Sequence, residues 1–131
     1  MNKSSPLRIL VVDDESLIRW SLSETLTDSG HFVCEAGDAE TALRRLTDDA
    51  GPFDVVLLDY HLPDSHDLAL LSTIRQVAPT TAVIMMTAFG TPEMSDAALR
   101  IGAYRVVPKP FEVHDIAALV LEAHAFTTSS R

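Results

Sequence analysis

Two kinds of hydrophobic pattern alternate along this chain. Short apolar runs at residues 7–12 (LRILVV), 53–58 (FDVVLL), 82–86 (AVIMM) and 104–107 (YRVV) each stop at a polar or turn residue. Runs of this length and β-branched character predict strands buried on both faces. Residues 31–35 (HFVCE) alternate only in part and predict a weaker strand. Between the runs the spacing becomes helical. Ile18, Leu22 and Leu26 repeat every fourth residue and end at Ser29-Gly30. Asp38 is placed to cap a helix carrying Ala42, Leu43 and Leu46. Leu68, Leu71, Ile74 and Val77 form a third stripe that Pro79 stops. Thr91-Pro92 is a cap followed by proline at the first helical position, ahead of Ala97, Ala98 and Ile101. Residues 112–124 carry Val113, Ile116, Val120 and Leu121.

The pattern reads as (βα) repeated five times. Such alternation predicts an α/β fold, a doubly wound parallel sheet with helices on both faces joined by right-handed crossovers. At 131 residues and 47% hydrophobic, the chain fills one core and leaves no room for a second folded unit. The expected division is a tail at 1–6, one domain at 7–124, and a tail or linker start at 125–131.

Ten basic residues against nineteen acidic ones give a net charge of −9. That balance disfavours direct contact with nucleic acid or an anionic membrane surface, and it favours a site for a hard cation. The single Cys34 excludes an internal disulfide and reads as a small buried strand residue. No secretory leader or spanning segment is visible, so the expected location is the cytoplasm.

Candidate chemistry collects where the strands end. In an open parallel sheet, ligands bind beyond the carboxyl ends of the strands. The first strand ends in Asp13 and Asp14, the third in Asp59 and the fourth in Thr87, while the fifth leads to Lys109. Singly, each is an ordinary turn or cap residue. Jointly, they supply what phosphoryl transfer to a carboxylate needs. Converging carboxylates repel one another, and a divalent cation with oxygen ligands relieves that repulsion. Asp59 is the candidate nucleophile. The metal, the Lys109 ammonium and the Thr87 hydroxyl would stabilise charge on the phosphoryl oxygens.

Four strings now carry a resemblance. VVDDE (11–15), LLDYHLP (57–63), MMTAFGTPE (85–93) and PKPF (108–111) resemble the receiver domains of two-component response regulators, in order and spacing. MTAFGTPE (86–93) and GAYRVVPKPF (102–111) are most similar to receivers of the nitrogen-regulation type. The resemblance implies a flavodoxin-like sheet of order 2-1-3-4-5. It implies Asp59 as phosphoacceptor, Asp14 as a direct Mg²⁺ (or Mn²⁺) ligand and Asp13 as an acid holding the metal through water. It implies His61 as the donor of a backbone carbonyl, Thr87 as the switch hydroxyl and Lys109 as the phosphate-pairing lysine. It also implies a cis Lys109–Pro110 bond. The implied partner is a sensor histidine kinase or phosphotransfer protein, and the implied output, beyond this chain, is control of transcription. His61 and Phe89 would flank the phosphoryl group and tune dephosphorylation.

Two positions depart from the family pattern. Receivers usually carry an aromatic residue three before the lysine; here it is Val106. Tyr104 lies two residues earlier, on the same face by strand alternation. Both are candidate switch or surface positions. Asp67 stands where the family often has glycine, which predicts a turn without positive φ or a helix cap. The neighbouring Asp64, Ser65 and His66 make that loop unusually polar. His61 and His66 together also invite a minor reading as transition-metal ligands. Arg19 and Trp20 read as surface or packing residues. Ala97, Ala98, Ile101, Ala117 and Ala118 offer either core or a homodimer face. The alternative function is an interaction module that keeps the fold without phosphorylation. A true hydrolase lacks its second acid and a substrate-binding cap.

Overall fold

A computed structural model describes residues 6–48, 52–65 and 67–129. His66, and with it the two-histidine reading of the loop, lies outside the described residues, as does most of the proposed N-terminal tail. Five strands and five helices alternate: β1 (Arg8–Val12), α1 (Ser16–Asp28), β2 (Phe32–Ala36), α2 (Ala39–Asp48), β3 (Val55–Asp59), α3 (Ala69–Val77), β4 (Ala82–Thr87), α4 (Pro92–Ile101), β5 (Arg105–Pro108) and α5 (Val113–Ser129). The strands pair in parallel in the order β2-β1-β3-β4-β5. The expected fold class and strand order both hold.

Strand alternation divides the core into two layers. Ile9, Val11, Val55, Leu57, Ile84 and Met86 point to one face, where Leu22, Leu26, Ile116 and Val120 of α1 and α5 cover them. Leu10, Val12, Val56, Leu58, Val83 and Met85 point to the other, under Ala42, Leu71, Ile74 and Ala98 of α2, α3 and α4. The three central strands are therefore buried on both faces, as their unbroken apolar runs require. Each fully buried Leu or Ile in these layers contributes about 1.5–3 kcal/mol by leaving water. β2 lies at a sheet edge and is correspondingly more exposed, so Cys34 is half-buried rather than enclosed.

The helix starts follow local chemistry. Thr41 N–H donates to Asp38 Oδ1 at 2.8 Å, and Met94 N–H donates to Thr91 Oγ1 at 3.1 Å. Helix α4 closes at Gly102, whose φ of +130° suits glycine and whose N–H reaches the Ala98 carbonyl. At the head of α3, Asp67 Oδ1 accepts the Ala69 N–H at 2.9 Å. Among the described residues only Gly30 and Gly102 have positive φ, so Asp67 works as a turn-closing acceptor.

Two elements differ from the sequence pattern. Helix α5 runs to Ser129, past the stripe that fades near His124. Ala123 is buried, and the Phe126 ring packs 5.3 Å from that of Tyr104, which extends the contact face. Tyr104 itself precedes β5, so alternation does not apply to it. It packs with the α1–α5 layer, whereas Val106 packs with the α2–α4 layer. The expected shared face is absent. The Tyr104 hydroxyl instead donates to Glu122 Oε2 at 2.6 Å, beside Arg105 at 3.0 Å from the same oxygen. Among the described residues, no helix is long and apolar enough to cross a membrane.

Candidate functional site

The polar strand ends meet at one edge of the sheet. Asp59 and Thr87 are the last residues of β3 and β4, one position further than the apolar runs reach. Asp13 follows β1 directly, and its N–H donates to the Ala36 carbonyl at 3.1 Å, which fixes it against the end of β2. Lys109 N–H donates to the Thr87 carbonyl at 2.8 Å, which fixes the loop after β5 against β4. Asp14, Glu15, Asp59, Tyr60, His61, Thr87, Ala88, Phe89 and Lys109 line a cleft of about 300 Å³ here.

Carboxylate oxygens of Asp13, Asp14 and Asp59 all lie within 4.8 Å of one another. Asp13 is fully buried and Asp14 exposed, while Asp59 is only 5% exposed. Asp13 Oδ1 accepts the Glu15 N–H at 2.9 Å, and Asp59 Oδ1 accepts the His61 N–H at 3.3 Å. Lys109 Nζ sits among the remaining oxygens: 3.0 Å from Asp13 Oδ2, 3.3 Å from Asp59 Oδ2 and 3.0 Å from Glu15 Oε1. Its approach to Asp13 Oδ2 is an ion pair without hydrogen-bond alignment.

The electrostatics follow from burial and crowding. Burial, and then the charge on Asp13, push the Asp59 carboxyl up to about 7, against the opposing pull of Lys109. Burial alone would lower the Lys109 pKa. The hydrogen bond to Glu15, the close approach to Asp13, and the charges on Asp13 and Asp59 outweigh that and hold it above the ordinary lysine value. The result is a cationic ammonium beside a carboxylate that is costly to ionise.

A hard cation fits this donor set. The ligands on offer are the carboxylate oxygens of Asp13, Asp14 and Asp59, and they suit Mg²⁺ better than a softer metal. Asp13 Oδ2 is the sharper sign, because a buried carboxylate oxygen without an aligned donor is costly unless something else satisfies it.

Thr87 is buried, and its Oγ1 accepts the Phe89 N–H at 3.2 Å. The following turn is tight: a Cβ on Gly90 would stand 2.8 Å from Thr87 Cγ2. Phe89 is 89% exposed at the rim, and His61 is exposed on the other side. The Lys109–Pro110 peptide is cis. Neither Val106, half-buried in the α2–α4 layer, nor Tyr104, tied to α5, lines the cleft.

Two residues join the site that the pattern did not single out. Glu15 is the third acid of VVDDE and pairs with Lys109 across 94 residues of sequence. Arg19, expected only at the surface or in packing, donates from Nη1 to the Asp13 carbonyl at 2.6 Å and from Nε to Glu35 at 3.0 Å. The available signal was a lone cation one helical turn after three consecutive acids.

Comparison with known proteins points the same way. The response regulator receiver domain model matches residues 9–121. The chain is 36% identical over 115 residues to the DNA-binding transcriptional regulator NtrC of Proteus hauseri, covering 88% of this chain and 24% of that protein. It is 38% identical over 116 residues to the regulatory protein AtoC of Escherichia coli K12, covering 88% of this chain and 25% of that one. It thus spans about a quarter of the length of these curated relatives. Among solved structures, a CheY-like receiver domain protein from Methanospirillum hungatei superposes with a TM-score of 0.89 at 28% identity, covering 97% and 100% of the two chains. NtrX from Brucella abortus superposes at 0.86 with 35% identity, covering 96% of this chain and 28% of that one. The chain belongs to the response regulator receiver domain family and resembles receivers of the NtrC type.

Proposed function

We propose that this receiver takes a phosphoryl group onto Asp59 from a phosphohistidine on a sensor histidine kinase or phosphotransfer protein. An Asp59 carboxylate oxygen attacks phosphorus, the P–N bond breaks, and the imidazole leaves with its electron pair and takes up a proton. The product is an acyl phosphate. A bound Mg²⁺, held by Asp14, Asp59 and the His61 carbonyl with Asp13 acting through water, would supply charge neutralisation at the phosphoryl oxygens. Lys109 pairs with one phosphoryl oxygen. The Thr87 hydroxyl, released from the Phe89 N–H, donates to another.

The observation that carries this reading is the convergence of Asp13, Asp14, Asp59 and Lys109 beyond the strand ends. The test is labelling with acetyl phosphate. Incorporation should require Mg²⁺ and vanish in Asp59→Asn. Undiminished labelling of that variant rules the assignment out.

The role is that of a signalling domain, not of an enzyme with turnover. The relatives' names describe DNA-binding transcriptional regulators, and we extend a transcriptional output to this chain's protein on that ground. At −9, this chain is a poor ligand for DNA, so that contact would belong to another segment or a partner. Val106 favours one further reading, a receiver fold used for binding without phosphorylation, because the usual aromatic relay is missing. An unlabelled wild type that still binds its partner would support it.

A further inference from the structure

The loop after Asp59 is tied down at a point that phosphoryl transfer does not use. Asp64 reaches across to α2, where Oδ1 accepts the Ala39 N–H at 2.8 Å and Oδ2 accepts the Glu40 N–H at 3.1 Å. Asp38 takes the Thr41 N–H of the same turn. The first three N–H groups of α2 are thus satisfied by two carboxylates from different segments. Asp38 is an ordinary cap. Asp64 comes from the β3–α3 loop, and its negative charge also suits the positive end of the helix.

The same loop carries His61, whose carbonyl lies beside the acid cluster in sequence. Leu62 is fully buried in the α2–α4 layer, and Leu62 and Ser65 exchange backbone hydrogen bonds of 2.7 and 3.2 Å. With the His61 N–H on Asp59 Oδ1, the segment is held at both ends. The corner it is pinned to is the one that holds Asp13, since Ala36, just ahead of α2, accepts the Asp13 N–H.

We propose that Asp64 is a positioning residue for metal binding: by fastening the loop to α2, it pre-sets the oxygen donors of Asp59 and His61. The proposal rests on the phosphoacceptor reading above. A loop ordered in advance does not have to be ordered when the ion binds, so its affinity is higher.

The experiment is a Mg²⁺ titration of the whole chain, followed by amide chemical shifts near Asp59 and accompanied by hydrogen exchange. Asp64→Ala should weaken Mg²⁺ about tenfold and speed exchange at Ala39, Glu40 and Leu62. Asp38→Ala removes a cap from the same helix and should leave Mg²⁺ affinity unchanged. Wild-type affinity in folded Asp64→Ala overturns the proposal. So does equal weakening in Asp38→Ala, which would assign the effect to α2 stability. If Asp64→Ala does not fold, Asp64→Asn, which keeps the shape and one acceptor, makes the same comparison with a smaller expected loss. A wild type that binds no Mg²⁺ overturns the phosphoacceptor reading itself.

Discussion

Lys109 Nζ stands 3.0 Å from Asp13 Oδ2, with the lysine side chain 10% exposed and the aspartate side chain fully buried. A cation of the chain's own therefore sits among the oxygens that a metal ion would use. The ammonium offsets the repulsion between Asp13 and Asp59 and waits where phosphoryl oxygens would arrive. The neighbouring Glu15 pair has the same length, but its carboxylate is 58% exposed, so solvent screens most of its worth.

Lys109 should have two opposed effects. In Lys109→Met the acids lose their internal counter-charge, so Mg²⁺ should bind about tenfold more tightly. Labelling of Asp59 should slow by roughly a hundredfold, because a charge-stabilising donor is gone. Calorimetric Mg²⁺ titration and acetyl phosphate labelling separate the two effects. Weaker Mg²⁺ binding in the variant contradicts the competition.

Asp59 should limit stability at high pH. Its pKa is raised in the folded chain from 3.8 to about 7, so the fold prefers the protonated carboxyl. That contribution is fully present below 3.8 and is lost as pH rises through about 7. At pH 8 and without metal, Asp59→Asn should therefore be more stable than the wild type by roughly 2–4 kcal/mol. The gap should shrink toward acid pH and on adding Mg²⁺. Urea unfolding with EDTA, at both ends of the range, measures it; a gap independent of pH would contradict the assignment.

His31 should act with the opposite sign. It is buried, and its Nδ1 accepts the Leu7 N–H at 3.0 Å, which requires neutral imidazole. Burial lowers its pKa from 6.5, against a raising influence from Asp54. Its contribution is complete above 6.5 and is lost as pH falls through the folded value. Protonation would leave the Leu7 N–H without its acceptor, at a cost of about 1–3 kcal/mol. In an Asp59→Asn background, where the other titration is removed, stability should fall on acidification below 6.5. His31→Gln should flatten that fall. An unchanged slope in that variant would exclude His31 as its source.

Much of the architecture was legible because it depends on period. The runs ending at Val12, Leu58 and Met86 read as buried strands from their length, composition and flanking turn residues, and Asp38 and Thr91 announced their helices by local capping. The converging strand ends could be read from topology alone. What escaped reading depends on partners distant in sequence. Glu15 meets Lys109, Arg19 meets Glu35 and Asp64 meets α2, and no periodicity marks such pairs. Tyr104 departs for a different reason: it stands one residue before β5 begins, where strand alternation does not hold.

The two-layer core has a consequence for how the surface can vary. Val106 and Val107 stand back to back on β5, one in each layer, and the central strands are packed on both sides. The two sets of side chains pack under different helices, so effects of substitutions more than about 7–10 Å apart on opposite faces add with little interaction. The opposite flanks can therefore drift apart independently, each acquiring its own recognition features. The rim loops have no such freedom, because Asp13 and Lys109 bind segments from both flanks together.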